Sequence, residues 1–558
     1  MRASAPESRL SHKGRQPNPR SYFHTWQRMT SRLVLKLIAV MALLFGGWAG
    51  CRCRATPPAA EPAAPPSLRL VLISSVAGAL EPCGCVKDML GGVNHAAAYL
   101  NAHREAPSLV LAAGPLLFGD PTLKDERRSQ DEWKAEALAR SLADMGLKAW
   151  SPGANDFAAG VAKLKEIAGA GPVPLAANLH ASGGALLPNA VFQVGGVKVG
   201  VAGVSLPKYQ GKLPEGVSAD EPLAALRAQA AELVRQGTSL RVALLSMPRG
   251  EAMRLAELVP DFQVVLVGKS ADQGESNDVP APPSHVGSTL VVESPNHLQS
   301  FYVVDLFVKD GRFVFSNADQ NAEQKSELDA QIKDLESRID AAERAGARKS
   351  DLDARRADLE NLRQKRAALS KSQKPVEGSH YRTELVEVRE RLGDDASVQK
   401  RMSEYYRRVN EHNREAFKDK LPAPVAANQS GYVGVEACAT CHKSEYEFWQ
   451  HTGHAGAYAT LSRQFKEFNL DCVSCHVTGY DQPGGSTVTH VDKLTNVQCE
   501  VCHGPGSRHL KSPADPAFIA AKPDLNLCAA KCHHTPHVKP DWNVAEALPH
   551  IIGKGHGG

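Results

Sequence analysis

Apolar residues fall into three regimes along the chain. From Leu68 to about Ser316 they come in short β-branched runs, at Leu68–Ile73, Leu109–Ala113, Val197–Val204, Val242–Leu245 and Val264–Val267. Runs of this length, bounded by turn-forming residues, predict buried strands. Between them, Ala135–Met145 and Leu223–Val234 carry the spacing of amphipathic helices. Strands alternating with helices predict an α/β domain over residues 68–316.

From 317 to 372 the period changes. Leu328, Ile332, Leu335, Ile339 and Ala342 recur at spacings of four and three, and Leu352, Leu359, Leu362 and Leu369 continue after a break at Gly346–Ser350. Gly346 and Lys349 spoil the seam at one place, and Ser350 can cap a second arm, so the pattern predicts an antiparallel helical hairpin of coiled-coil type. A longer dimeric coiled coil with a partner chain is the alternative. Residues 373–427 read as a connector, with a strand at Thr383–Val388, a charged helix at Asp395–Asp419 and a Pro/Ala linker at Leu421–Ala427. Residues 428–540 form the next domain, whose stretch 434–537 holds few apolar side chains for its size, and 541–558 read as a tail. The fold class is therefore multidomain: an α/β sandwich, a helical hairpin, then a mostly α region.

The N-terminus adds an address. Arg32 and Lys36 flank the start of an apolar run, Leu37–Trp48, too short to span a bilayer and followed by Ala49-Gly50-Cys51. Residues 1–50 resemble a lipoprotein-type export signal, with Met29 as an alternative start and Cys51 as the lipidated residue. An ordinary cleaved signal or a short membrane anchor is the other reading. The Ala/Pro-rich stretch within 51–67 is a spacer. The protein is thus expected on the periplasmic or outer face of a bacterial membrane, held by its lipid.

Charge excludes one class of partner. Sixty-five basic residues against 61 acidic ones give a net charge of +4, too balanced for a nucleic-acid binder. Cysteine carries more. The 12 cysteines group as Cys51 and Cys53, Cys83 and Cys85, and eight between Cys438 and Cys532. Those eight form four motifs: Cys438-Ala-Thr-Cys441-His442, Cys472-Val-Ser-Cys475-His476, Cys499-Glu-Val-Cys502-His503 and the wider Cys528-Ala-Ala-Lys-Cys532-His533. Two thiols add to the two vinyl groups of one porphyrin, and the next residue reaches its iron from one face. A single such pair would suit zinc equally well. Four in series, each followed by histidine on an exported chain, predict four covalent c-type haems. Porphyrins would then supply much of the core that 434–537 lacks.

Two stretches point to a family. Phe448-Trp449-Gln-His-Thr-Gly-His454-Ala-Gly-Ala and Val497-Gln-Cys499-Glu-Val-Cys502-His503-Gly-Pro-Gly-Ser-Arg-His509 resemble the tetrahaem cytochrome c-554 family of nitrifying bacteria. The resemblance covers the last quarter of the chain. It implies His509 as the second axial ligand of the first haem, opposite His442, and His454 as that of the third, opposite His503. It also implies a second haem, on His476, without a strong distal ligand. For the fourth haem, on His533, the candidates are His490, His537 and His550.

Residues 68–316 resemble the metallophosphoesterase domain of bacterial 5′-nucleotidases. The resemblance lies in Val71–Cys85 with Gly91-Gly92, in Val110-Leu-Ala-Ala-Gly-Pro115, in Gly153-Ala-Asn155-Asp-Phe and in Val265–Ala271. A working member of that family holds two metals. Here its ligand positions carry Ser75, Ala77, Pro115, Ala154, Asn155, Met247, Lys269 and Ala271. Two divalent ions about 4 Å apart need several carboxylate and imidazole ligands, which this set lacks, so the resemblance implies a scaffold without hydrolytic activity. It keeps Cys83-Gly-Cys85 on the loop after the first strand. A structural disulfide or a free thiol pair is the plain reading. A strained, redox-active pair exchanging electrons with the haems is the sharper one. Three functions compete: an electron carrier with redox partner proteins, a nucleotidase fused to a cytochrome, and a haem reductase of a small nitrogen or sulfur compound.

Overall fold

The computed structural model describes residues 65–82, 88–169, 171–274, 277–318, 320–344, 348–371, 378–534, 538 and 542–553. The signal, Cys51, most of the spacer, Cys83, Cys85 and His537 lie outside the described residues.

The strands are β1 (Leu68–Ser74), β2 (Ser108–Ala113), β3 (Leu147–Ser151), β4 (Val173–Pro174), β5 (Leu179–Ala181), β6 (Asn189–Val194), β7 (Val197–Ser205), β8 (Val217–Ala219), β9 (Leu240–Ser246), β10 (Val264–Gly268), β11 (Ser284–Val286), β12 (Thr289–Val292), β13 (Ser300–Phe307), β14 (Ser316–Asn317) and β15 (His380–Glu387). They form two larger sheets, in the orders β14-β15-β13-β1-β2-β3-β4 and β11-β12-β10-β9-β7-β6, and a small β5–β8 pair. The centres of both sheets are parallel, with Leu70 opposite Leu109 and Val201 opposite Val242, while β13 and β6 run antiparallel to their neighbours.

The strand pattern has a simple origin. Along β1, Leu68, Leu70 and Leu72 enter the core between the sheets with Leu109, Leu111, Val201 and Leu244. The alternate residues Val71 and Ile73 face a second core beneath α1 (Val93–Ala102) and α2 (Arg128–Asp144). A strand buried on both faces reads as a continuous apolar run. The outer face of the other sheet is covered by helices Pro222–Arg235 and Arg249–Leu258. The result is a helix–sheet–sheet–helix sandwich. Its sheets meet where β10 ends: a Cβ added at Gly268 would lie 2.1 Å from the Ala113 carbonyl oxygen.

The sandwich does not end at residue 316. In the segment read as a connector, β15 pairs with β13, Val304 opposite Thr383. The helix Ala396–Ala416, capped by the Asp395 carboxylate on the Ser397 and Val398 amides, buries Val398, Met402, Tyr405 and Val409 in the first core. These four lie on one stripe at helical spacing. The charged residues that dominate the rest of the helix obscure it in the sequence. The boundary at 316 is corrected accordingly.

Between β14 and β15 stand the helices Gln320–Arg344 and Lys349–Lys371. Glu343 pairs with Arg356, Glu336 with Arg363 at 2.7 Å, and Asp329 with Arg366. These partners run in opposite order, so the helices are antiparallel. Ile339 and Leu359 are buried there.

Beyond residue 428 the architecture changes. The α-helices described there are four to seven residues long. Among the described residues, Val435, Leu461, Val473, Val477, Val488, Leu494 and Val538 are its buried hydrophobic side chains. That set is too small to hold more than a hundred residues by itself. No described helix is long and apolar enough to cross a membrane.

A candidate multihaem centre

Each motif folds its cysteines and histidine onto one short turn. In the first, the Cys438 carbonyl accepts from the Cys441 amide at 3.1 Å and from the His442 amide at 2.9 Å. The fourth has one more residue, yet the Cys528 carbonyl accepts from Cys532 at 3.2 Å and from His533 at 2.8 Å. The insertion is taken up as a wider, π-like turn, and His533 returns to the relation with its first cysteine that His442 has. All eight cysteines are partly or fully exposed.

The histidines are oriented by the backbone. His476 Nδ1 lies 2.6 Å from the Ala457 carbonyl and His503 Nδ1 lies 2.7 Å from that of Ala520. A proton fixed on Nδ1 leaves the Nε2 lone pair as the donor toward a metal. Two imidazole pairs face each other. His442 and His509 have ring centres 6.4 Å apart, and His454 and His533 lie 6.2 Å apart. With metal–imidazole bonds of about 2 Å on each side, one iron holds two rings about 6 Å apart. Burial, with His533 nearby, lowers the pKa of His454 and keeps it in the neutral form that ligates.

The second pairing departs from expectation. The resemblance sets His454 opposite His503; the structure brings it to His533, which also stacks on Trp542 with ring centres 4.8 Å apart. The turn of the widened fourth motif carries His533 to this place. Of the candidates for the fourth haem, His490 sits with the hydroxyls of Thr487 and Thr489 at 3.5 and 3.1 Å, and His550 ends a short 3-10 turn.

The motifs interlock. Cys438 of the first and Cys499 of the third lie within electrostatic range of each other. Cys502 lies within electrostatic range of Cys528, and Cys475 Sγ is 3.4 Å from the Lys531 carbonyl. Burial pushes the Cys472 thiol up to about 12. The scarcity of buried apolar side chains, the thiol pairs and the facing imidazoles together fit covalent haem c.

Sequence reasoning passed over Glu500. It is buried inside the third motif and accepts from Val433 at 3.0 and 3.1 Å, Gly434 at 2.8 Å and Gly506 at 2.8 Å. It thereby ties the lead-in of the first motif to the helix that carries His509. A glutamate between two haem cysteines is the one signal that could have singled it out.

At the ends of β1 and β10, Ser75 Oγ accepts from the Lys269 amide at 2.9 Å, and Lys269 Nζ reaches Asp278 at 2.6 Å. The buried Asn155 amide donates to the carbonyls of Phe118, Gly119 and Asp272 at 3.1, 2.8 and 2.9 Å. Ser75 and Ala77 keep left-handed backbone, φ 43° and 48°, a conformation favoured by glycine. Among the described residues, no group of three or more His, Cys, Asp or Glu side chains is placed to hold a metal ion.

These features describe a segment of four Cys/His turns joined to a two-sheet α/β sandwich. Residues 437–504 match the family described as cytochrome c554 and c-prime. Cytochrome c-554 of Nitrosomonas europaea is 35% identical over 96 residues, covering 14% of this chain and 41% of that protein. The chain thus spans less than half the length of that curated relative. Among solved structures, the chain is similar to a 5′-nucleotidase precursor from Thermus thermophilus (TM-score 0.42, 18% identity, 66% of this chain and 62% of that one). It is also similar to Haemophilus influenzae NAD nucleotidase (0.36, 18%, 44% and 54%) and to a calcineurin-like phosphoesterase from Bacillus subtilis (0.35, 15%, 44% and 86%).

Proposed function

We propose that this chain is an exported, lipid-anchored cytochrome that carries four covalent haems and transfers electrons, fused to a sandwich without hydrolytic activity. The observation that carries the reading is the spacing of facing imidazoles, 6.4 Å and 6.2 Å, beside thiol pairs. Bound haem supplies reversible one-electron redox change. The chain does the rest. Cys438 and Cys441, Cys472 and Cys475, Cys499 and Cys502, and Cys528 and Cys532 would attach the porphyrins; His442, His476, His503 and His533 would hold the irons, and His509 and His454 would be further ligands to two of them. Backbone carbonyls hold His476 and His503 in the ligating tautomer.

Loss of hydrolysis is supported by Lys269, whose ammonium pairs with Asp278 at the rim where a metal site would need anionic and imidazole ligands. Cys51 would carry the lipid, and the spacer behind it would keep the haems near the membrane and its redox partner proteins. The hairpin offers a surface for a helical partner. On sequence grounds alone, Cys83 and Cys85 belong to the proposal as a redox pair serving the haems.

The test is haem quantification on the purified protein after acid–acetone extraction, with nucleotide hydrolysis assayed in manganese or zinc. Four retained haems per chain and no hydrolysis are expected. Pigment released by extraction, or hydrolysis that persists after repurification, overturns the reading. Labelled fatty acid should enter the protein and be lost in Cys51→Ser.

A further inference from the structure

We propose that the sandwich builds part of the second haem's environment, with Arg127, Lys134 and Tyr405 as positioning residues for the group held by Cys472, Cys475 and His476. The inference rests on the multihaem reading and deepens it.

Among the described residues, ion pairs between the sandwich and the haem region gather on the segment leading into the second motif. Glu81, in the loop after β1, pairs with Lys466. Arg127 and Lys134 both reach Asp471, the latter at 2.9 Å. Between these ties lies a buried amide cluster. Gln130 donates to Asn469 at 3.2 Å and accepts from Asn413 at 3.0 Å and from the Leu470 amide at 3.1 Å. Gln130, Asn413 and Asn469 are each no more than 2% exposed. Buried amides satisfied by one another leave little freedom of register.

This register sets the attachment site. The Asn469 carbonyl accepts from the amides of Cys472 and Val473, each at 3.0 Å, and so starts the turn that carries the first thiol. Asp471 stands directly before Cys472. An unbalanced carboxylate there would favour the oxidised, more positive haem. Arg127 and Lys134 offset it, so the charge felt at this haem is decided by the sandwich.

Tyr405 supplies the second observation. Its ring is packed in the sandwich core, 4% exposed, beside Tyr406 with ring centres 4.9 Å apart. Its hydroxyl is buried without a hydrogen-bond partner, within electrostatic range of Asp471 and Cys472. A buried hydroxyl left unpaired is unfavourable, and a haem at Cys472 brings acceptor oxygens in its propionates.

The experiment is a potentiometric titration, followed by optical and EPR spectra, of the full haem-loaded chain and of Asp471→Asn, Arg127→Gln/Lys134→Gln and Tyr405→Phe. One midpoint should rise in Asp471→Asn and fall in the double variant. Tyr405→Phe should move the same haem, and the other three should hold. That haem should be the one missing from Cys472→Ala. Tyr405→Phe keeps the core ring and decides the matter if the charge variants do not accumulate. Four unchanged midpoints, or a shift spread evenly over all haems, overturns the proposal. Haem number in the unmodified protein separates this failure from failure of the multihaem reading.

Discussion

The imidazoles of His442 and His509 stand with ring centres 6.4 Å apart and ring planes 26° from parallel, although one belongs to the first motif and the other to the helix after the third. Glu500 brings them together by bonding the lead-in of the first motif and the Gly506 amide at once. One iron fits between the rings. His509→Ala should therefore convert one low-spin haem to high spin, with haem content unchanged. EPR at low temperature reads this directly; an unaltered low-spin signal would remove His509 from the ligand set.

Cys472→Ala should cost one haem per chain by pyridine haemochrome assay. Val473, behind it, is fully buried, and a porphyrin held at Cys472 would share that small core. Losing that packing should destabilise the region by about 3–5 kcal/mol, the range of large-to-small core changes. A thermal transition that does not move would mean the haem is peripheral.

Glu500→Gln keeps the shape of the side chain and removes its charge. One carboxylate accepts from three separate backbone amides here, and an amide NH2 group must face a donor. The cost should be about 1.5–3 kcal/mol, as for hydrogen bonds to a charged group. Denaturant unfolding monitored in the haem band measures it. The same variant should broaden the signal of the His442 haem more than that of any other.

What could be read in advance follows from how local each signal is. The strands β1, β2, β7, β9 and β10 are apolar on both faces, so their burial is written residue by residue. The haem motifs are equally local, since attachment needs two thiols and a histidine on one turn. Val398, Met402, Tyr405 and Val409 were missed because charged residues surround a narrow stripe whose partner core lies some three hundred residues earlier. The Gln130–Asn469 and Arg127–Asp471 contacts were invisible for the same reason: uncharged amides and ordinary ion-pair residues become specific only when folding brings distant segments together. The approach of His454 to His533, where the resemblance implies His503, depends on how the motifs stack, which no single motif encodes.

Asp156 ties the Leu116, Leu117 and Gly153 amides at 2.9, 2.8 and 2.9 Å, wholly buried. Burial outweighs those bonds and raises its pKa from 3.8 to about 6. A carboxyl raised on folding adds stability that is fully present below its unfolded value and lost as pH rises through the folded one. The sandwich should therefore lose up to about 3 kcal/mol from this group between pH 4 and pH 7. Asp156→Asn cannot titrate, so the stability gap between the two proteins should narrow across that window. A gap that stays constant would place the carboxyl at its ordinary value.

The pairing of His454 with His533 has a direct spectroscopic consequence. If His454 closes the fourth haem, His454→Ala should turn that haem high-spin and leave the third untouched. The two can be told apart by attachment variants, because Cys528→Ala/Cys532→Ala removes the fourth haem and Cys499→Ala/Cys502→Ala removes the third. The signal altered in His454→Ala should be the one absent from the Cys528→Ala/Cys532→Ala protein. Trp542, stacked on His533 with planes 2° apart, gives an independent handle on the same site. Trp542→Ala should free the rotation of the His533 ring and shift the fourth haem's EPR signal, since ligand-plane angles shape it. Were the His454→Ala change to fall on the haem lost from Cys499→Ala/Cys502→Ala, the axial partner of His454 would be His503, and the 6.2 Å approach to His533 would be a packing contact between two separate haem sites.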